Sequence, residues 1–165
     1  MRILVISDTH IPTTAATLPA IIKKEAKASD CCLHCGDFIT YPVYCALSQW
    51  VKVYGVHGNM DEKTLAGKLP EKQILKFSGI TFALTHGGGH PKKILTYVQK
   101  EFAQEIKDID VFVFGHSHNP LNEEIDGKIY FNPGSPTDTV FAPYRSYGIF
   151  EIEKGKLKRR IVKIG

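Results

Sequence analysis

Two pairs of metal-ligand residues, each with one residue between its members, lie near opposite ends of the 165-residue chain: Asp8-Thr9-His10 and His116-Ser117-His118. In extended backbone, residues i and i+2 point the same way, so each pair is expected to aim two donors at one spot. Each pair follows a run that reads as a buried strand, Ile3-Leu4-Val5-Ile6 or Val111-Phe112-Val113-Phe114. Between them come Gly36-Asp37, Gly58-Asn59 and His86-Gly87, again after apolar runs. Seven nitrogen and oxygen donors at five strand-to-loop turns are hard to explain without a metal centre. Imidazole, carboxylate and amide together suit manganese, iron, zinc or similar ions.

Two ions held about 3.5–4 Å apart activate a water between them and clamp a phosphoryl group. They also neutralise the charge that builds on phosphoryl oxygens, so phosphoester hydrolysis is the chemistry to expect. At least one donor must then bridge. Asp37 is the natural candidate, because a carboxylate has two oxygens. Asn59 can give one oxygen, and the histidines give neutral nitrogens.

The elements that must position these donors alternate at first. Strands are expected at Ile3–Ser7, Cys31–His34 and Val51–Val56, with helices at Leu18–Ala28 and Pro42–Gln49. Pro19 fits the first turn of the earlier helix. Lys72–Phe77 and Ile80–Thr85 read as a hairpin joined at Ser78-Gly79. Pro91–Ile106 is the longest helix candidate, with Ile94, Leu95, Val98, Phe102 and Ile106 on one face. The remainder is strand and turn: Val111–Phe114, a hairpin at Asp126-Gly127, and Ser146–Ile152 paired with Leu157–Ile164 across Lys154-Gly155. The expected class is α/β of the mixed, α+β kind: two mixed sheets packed together with helices outside. With no repeat or linker, residues 1–165 read as a single domain.

Bulk composition fits this. Hydrophobic residues make up 43% of the chain, which excludes general disorder. A net charge of +4 permits an acidic substrate without requiring one. The basic tail (Lys154, Lys156, Lys158, Arg159, Arg160, Lys163) reads as the wet side of an edge strand, so nucleic acid is not an expected partner. Cys32 and Cys35 form a lone C-x-x-C, read as buried thiols in a core strand. The first residues read as a strand rather than a leader, and no apolar run reaches the roughly 18 residues of a membrane span. A cytoplasmic protein without membrane contact is expected; a homo-oligomer stays open.

Asp8-x-His10, Gly36-Asp37, Gly58-Asn59-x-Asp61, His86-Gly87 and Gly115-His116-x-His118 resemble, in order, the five blocks of the calcineurin-like metallophosphoesterases. Asn132-Pro133-Gly134-Ser135 is similar to that family's small prokaryotic phosphodiesterase branch. The resemblance implies a four-layer α-β-β-α sandwich of the metallo-dependent phosphatase type. It implies one metal on Asp8, His10, Asp37 and His118, and a second on Asp37, Asn59, His86 and His116, with Asp37 bridging. Two divalent ions are expected, manganese ahead of iron, zinc, nickel or magnesium. The implied activity is that of a phosphodiesterase on small aryl or nucleotide-type diesters, by in-line attack of a hydroxide between the metals. The alternatives are a phosphomonoesterase, or a non-catalytic scaffold of this fold.

The chain also departs from the family pattern. Many members carry a histidine after the block-three Asn, held to assist the leaving group. Met60 stands there, and a thioether has no proton to give. His90, after the Gly87-Gly88-Gly89 run, is the candidate substitute if that loop folds it inward. It joins Asp37, Asn59 and His86 as the residues expected to act in catalysis. His34 and His57 are read as supports, and Asp61 as a group that orients a neighbour or caps a turn. Asn132 and Ser135 are read as a tight turn, with a contact to phosphate or to a ligand as the other reading. Arg145 is read as solvated.

Overall fold

A computed structural model describes residues 1–165. The first half contains β1 (Arg2–Ile6), α1 (Ala20–Lys27), β2 (Cys31–His34), α2 (Tyr41–Ser48), β3 (Val53–Gly55) and the one-turn α3 (Lys63–Ala66). Then follow β4 (Lys72–Phe77), β5 (Ile80–Thr85), α4 (Ile94–Glu101) and β6 (Val111–Val113). β7 (Leu121–Ile125), β8 (Lys128–Asn132), β9 (Ser146–Glu153) and β10 (Lys156–Lys163) complete the chain.

These strands form two five-stranded sheets, ordered β10-β9-β1-β2-β3 and β4-β5-β6-β8-β7. In the first, β1, β2 and β3 are parallel, and β9 and β10 continue it antiparallel. In the second, β5, β6 and β8 are parallel, flanked by antiparallel β4 and β7. Parallel strands are covered on both faces, which is why β1, β2 and β6 read as unbroken buried runs.

Alternate side chains of one strand serve different layers. Ile3, Val5 and Leu33 pack between the sheets against Leu84, Val113 and Phe131. Leu4 and Ile6 point the other way, onto Ile22 of α1 and Leu47 of α2. Ala83, Phe112 and Tyr130 on the outer face of the second sheet meet Ile94 and Val98 of α4. The result is the expected α-β-β-α sandwich. No helix is long and apolar enough to cross a membrane.

The three expected hairpins form, and each has two left-handed turn residues: Ser78-Gly79, Asp126-Gly127 and Lys154-Gly155. That backbone matches the strand twist, and glycine at the second position adopts it freely. Two helices are shorter than expected. Pro19 has φ −54° and ψ 143°, so it precedes α1 instead of sitting in its first turn. The helix expected over Pro91–Ile106 divides into a 3₁₀ turn at Pro91–Lys93, α4, and a 3₁₀ turn at Ile106–Asp108. Phe102 leaves helical backbone (φ −109°) while its ring packs near Phe112, centroids 6.0 Å apart. Apolar spacing marks which residues are buried, not whether the helix continues between them. Cys32 joins the helix-facing core and Cys35 the inter-sheet core, so this C-x-x-C offers no paired thiols.

Candidate metal centre

All five donor-bearing loops leave the ends of β1, β2, β3, β5 and β6, where the two sheets meet. The loops are tied to one another through backbone. Asp8 N–H donates to Gly36 O (3.0 Å), His10 N–H to Asp37 O (3.0 Å) and Gly115 N–H to His86 O (3.1 Å). The i, i+2 pairs are not extended, contrary to the expectation from their spacing. Asp8 (φ 53°), His10 (42°), His116 (65°) and His118 (54°) are left-handed, as is Asp37 (58°). The two pairs also behave differently. Asp8 and His10 converge, at 3.8 Å, whereas His118 turns to Asp8 and His116 turns to His86 and the glycine loop.

The buried carboxylates of Asp8 and Asp37 lie among imidazoles. Asp8 Oδ1 is 3.4 Å from His118 Nε2, and the Nε2 atoms of His10 and His118 are 3.2 Å apart. Asp37 Oδ2 is 3.4 Å from both His10 Nε2 and His86 Nε2. Asn59 Oδ1 is 3.1 Å from His86 Nε2. Two groups of ligand atoms close enough to hold an ion result: Asp8, His10 and His118, and Asp8, Asp37 and His86.

The donor set fits a cation. His86 Nδ1 donates to the Cys35 carbonyl at 2.7 Å, which leaves the Nε2 lone pair facing the oxygens of Asp37 and Asn59. His118 Nδ1 is bonded to the Asp138 carboxylate, which leaves its Nε2 facing Asp8. Lone pairs directed at oxygens need a positive charge between them, supplied by a proton or a metal ion. Burial alone would lower the pKa of His86 and His118, but Asp37 and Asp8 respectively outweigh it and raise each to about 9. Burial alone would raise Asp8; hydrogen bonds with His10 and His118 instead hold it well below the usual carboxylate range.

His116 lies beside this set. Its ring meets His86 edge-on (centroids 5.2 Å), its Nε2–H donates to Gly89 O at 2.9 Å, and Nδ1 is the nitrogen left for a ligand. His90 stands apart: it is exposed, and its Nδ1 accepts from Lys92 N–H (3.2 Å), capping the turn at Pro91. Met60 is 54% exposed, and its N–H donates to Asp37 Oδ1 (2.9 Å).

Supporting residues hold the loops. The Asp61 carboxylate accepts from Asp37, Ile39 and Gly58 N–H groups (2.7–3.0 Å), and burial raises its pKa. His34 stacks on Phe38, its Nδ1 accepts from Gly36 N–H and its Nε2 bonds the Thr9 hydroxyl (both 3.2 Å). Asn132 and Ser135 do more than form a turn. Asn132 Nδ2 donates to Gly115 O (2.9 Å), and Ser135 Oγ to Asp8 O (2.7 Å). Asp138 escaped the sequence reading. It lies in a Ser-Pro-Thr-Asp run that looks like ordinary turn chemistry, and only folding brings it to His118, twenty positions earlier.

Residues 1–155 match the family model of the calcineurin-like phosphoesterase superfamily domain. A probable metallophosphoesterase of Methanocaldococcus jannaschii is 33% identical over 169 residues, covering 99% of this chain and 82% of its own. The zinc complex of wild-type Vps29 from Entamoeba histolytica superposes with TM-score 0.74 at 26% identity, covering 99% of both chains. A structure described as a novel archaeal phosphodiesterase shares the fold (TM-score 0.73, 22% identity, 98% and 100% covered). With its donor blocks, its two-sheet sandwich and this likeness along nearly its whole length, the chain belongs to the calcineurin-like phosphoesterase superfamily.

Proposed function

We propose that the chain is a cytoplasmic phosphodiesterase that acts on small diesters with two divalent ions, manganese ahead of iron, zinc, nickel or magnesium. The observation that carries this reading is the position of Asp37: one carboxylate oxygen 3.4 Å from imidazoles on either side. Asp8, His10, Asp37 and His118 would hold one ion; Asp37, Asn59, His86 and His116 would hold the other. Such ions supply a water of lowered pKa and positive charge against the phosphoryl oxygens. The chain itself fixes where these donors point. Asp61 holds the Asp37 backbone, and Cys35 and Asp138 set which nitrogen of His86 and His118 faces inward. At position 60 no side chain can protonate the departing oxygen, so aryl diesters should outpace alkyl diesters.

The test is hydrolysis of bis-p-nitrophenyl phosphate by chelator-stripped protein, with and without Mn²⁺, with Asp37→Ala as control. Turnover restored by metal and absent in the variant is the expected result. Faster turnover of p-nitrophenyl phosphate would favour a monoesterase. The likeness to Vps29, a vacuolar protein sorting protein, supports a second reading as a scaffold. Bound metal without any turnover would bring that reading forward.

A further inference from the structure

A cavity of about 270 Å³ opens beside the metal centre, against Asn59, His86 and His116. Its far wall comes from α4 and from Glu71, the residue before β4. Tyr97 and Glu101 are four residues apart on α4, so they share a face and both line the cavity. The glycine loop is shaped around them: a Cβ on Gly88 would come within 2.9–3.1 Å of the Tyr97 ring and hydroxyl. Glu101 is fixed by the buried Thr85, whose hydroxyl donates to Oε2 at 2.8 Å, and Glu71 adds a second carboxylate.

No lysine or arginine lines this space. Lys72 is nearby, but its ammonium bonds the Glu101 carbonyl (2.8 Å) and pairs with Glu105 (3.8 Å). At this wall, away from the histidines, the two carboxylates would repel an anionic ester arm. A purely aryl arm would find Tyr97 as the one apolar lining residue. Two carboxylates beside an aromatic ring suit an alkylammonium group, through charge attraction and the cation–π interaction.

We propose that this cavity takes the ammonium end of an aminoalkyl ester arm, making phosphodiesters of small amino alcohols the preferred substrates. The proposal rests on the phosphodiesterase reading above. It is tested with three p-nitrophenyl phosphodiesters whose second arm is 2-aminoethyl, n-propyl or 2-carboxyethyl. The 2-aminoethyl ester should have a kcat/KM about tenfold above the propyl ester, with the carboxyethyl ester lowest. Glu71→Gln with Glu101→Gln should bring the aminoethyl-to-propyl ratio towards one, and Glu71→Gln alone, at an exposed position, should lower it part way. No preference in the wild type, or a preference that survives the double variant, would overturn the proposal even if the diesters are hydrolysed. If no diester is hydrolysed, the phosphodiesterase reading fails by itself. An amide NMR titration of the protein loaded with diamagnetic Mg²⁺ or Zn²⁺, using ethyl 2-aminoethyl phosphate, then decides the cavity. Shifts at Gly87–Gly89, lost in the double variant, support it; their absence overturns it.

Discussion

Asp8, His10, Asp37, His116 and His118 occupy left-handed backbone, which disfavours residues with a Cβ by about 1–2 kcal/mol each. Backbone bonds between neighbouring loops hold Asp8, His10 and Asp37 there, and the Asp8 carboxylate accepts from His116 N–H (3.2 Å), so the loops themselves fix where these donors stand. Two single-residue consequences can be measured. Asp138→Asn should weaken Mn²⁺ binding about tenfold to a hundredfold in calorimetric titration, because His118 loses the carboxylate that orients it. His34 is fully buried, and burial pushes its pKa down to about 3. An unfolded chain takes up that proton near pH 6.5, so the stability His34 confers is complete above that pH and is lost as pH falls towards 3. The loss should be about 1.4 kcal/mol per pH unit. Urea midpoints of metal-stripped protein between pH 7 and 5 should fall less steeply for His34→Gln.

At the scale of elements, short parallel strands bring the loops to one edge, and the segment after β8 binds those loops together. Ser135 Oγ donates to Asp8 O and accepts from Asp138 N–H (3.0 Å), while Thr137 Oγ1 donates to Thr9 O (2.8 Å). All of this is buried. Ser135→Ala strands the buried Asp138 N–H and leaves Asp8 O with only the long bond from Thr137 Oγ1 (3.5 Å), so it should cost about 1–3 kcal/mol in chemical denaturation. An unchanged denaturation curve would show that this segment does not brace the centre. The same elements explain the basic tail: Arg159 of β10 reaches Asn122 (2.7 Å) and Glu124 (3.4 Å) on β7, and Arg160 pairs with Glu151 (2.9 Å).

Across the whole molecule, the distance between the sheets decides whether donors from both can meet. Gly148 on β9 is a close approach: a Cβ there would stand 2.4 Å from the Phe131 ring on β8. Gly148→Ala should push the sheets apart or turn Phe131 out of place, at about 1–3 kcal/mol. A lowered thermal midpoint together with weaker Mn²⁺ binding would show that sheet spacing sets the centre. A lowered midpoint alone would confine the effect to packing.

The places of the candidate donors at strand ends, the hairpin turns and the two-sheet class were legible in the residues. Each rests on local chemistry: ligand types, apolar runs, and glycine where backbone turns left-handed. The assignment of ligands to two ions came from resemblance, and the fold adds that Asp37 stands between His10 and His86. Other facts required the fold. The two i, i+2 pairs differ in direction because their loops are left-handed and tied to different neighbours. Asp138 reaches His118, Glu71 and Glu101 share a cavity, and Cys32 and Cys35 face opposite layers. These are contacts between residues distant in sequence, or on opposite faces of a strand, and no local pattern specifies which distant groups two packed sheets will bring together.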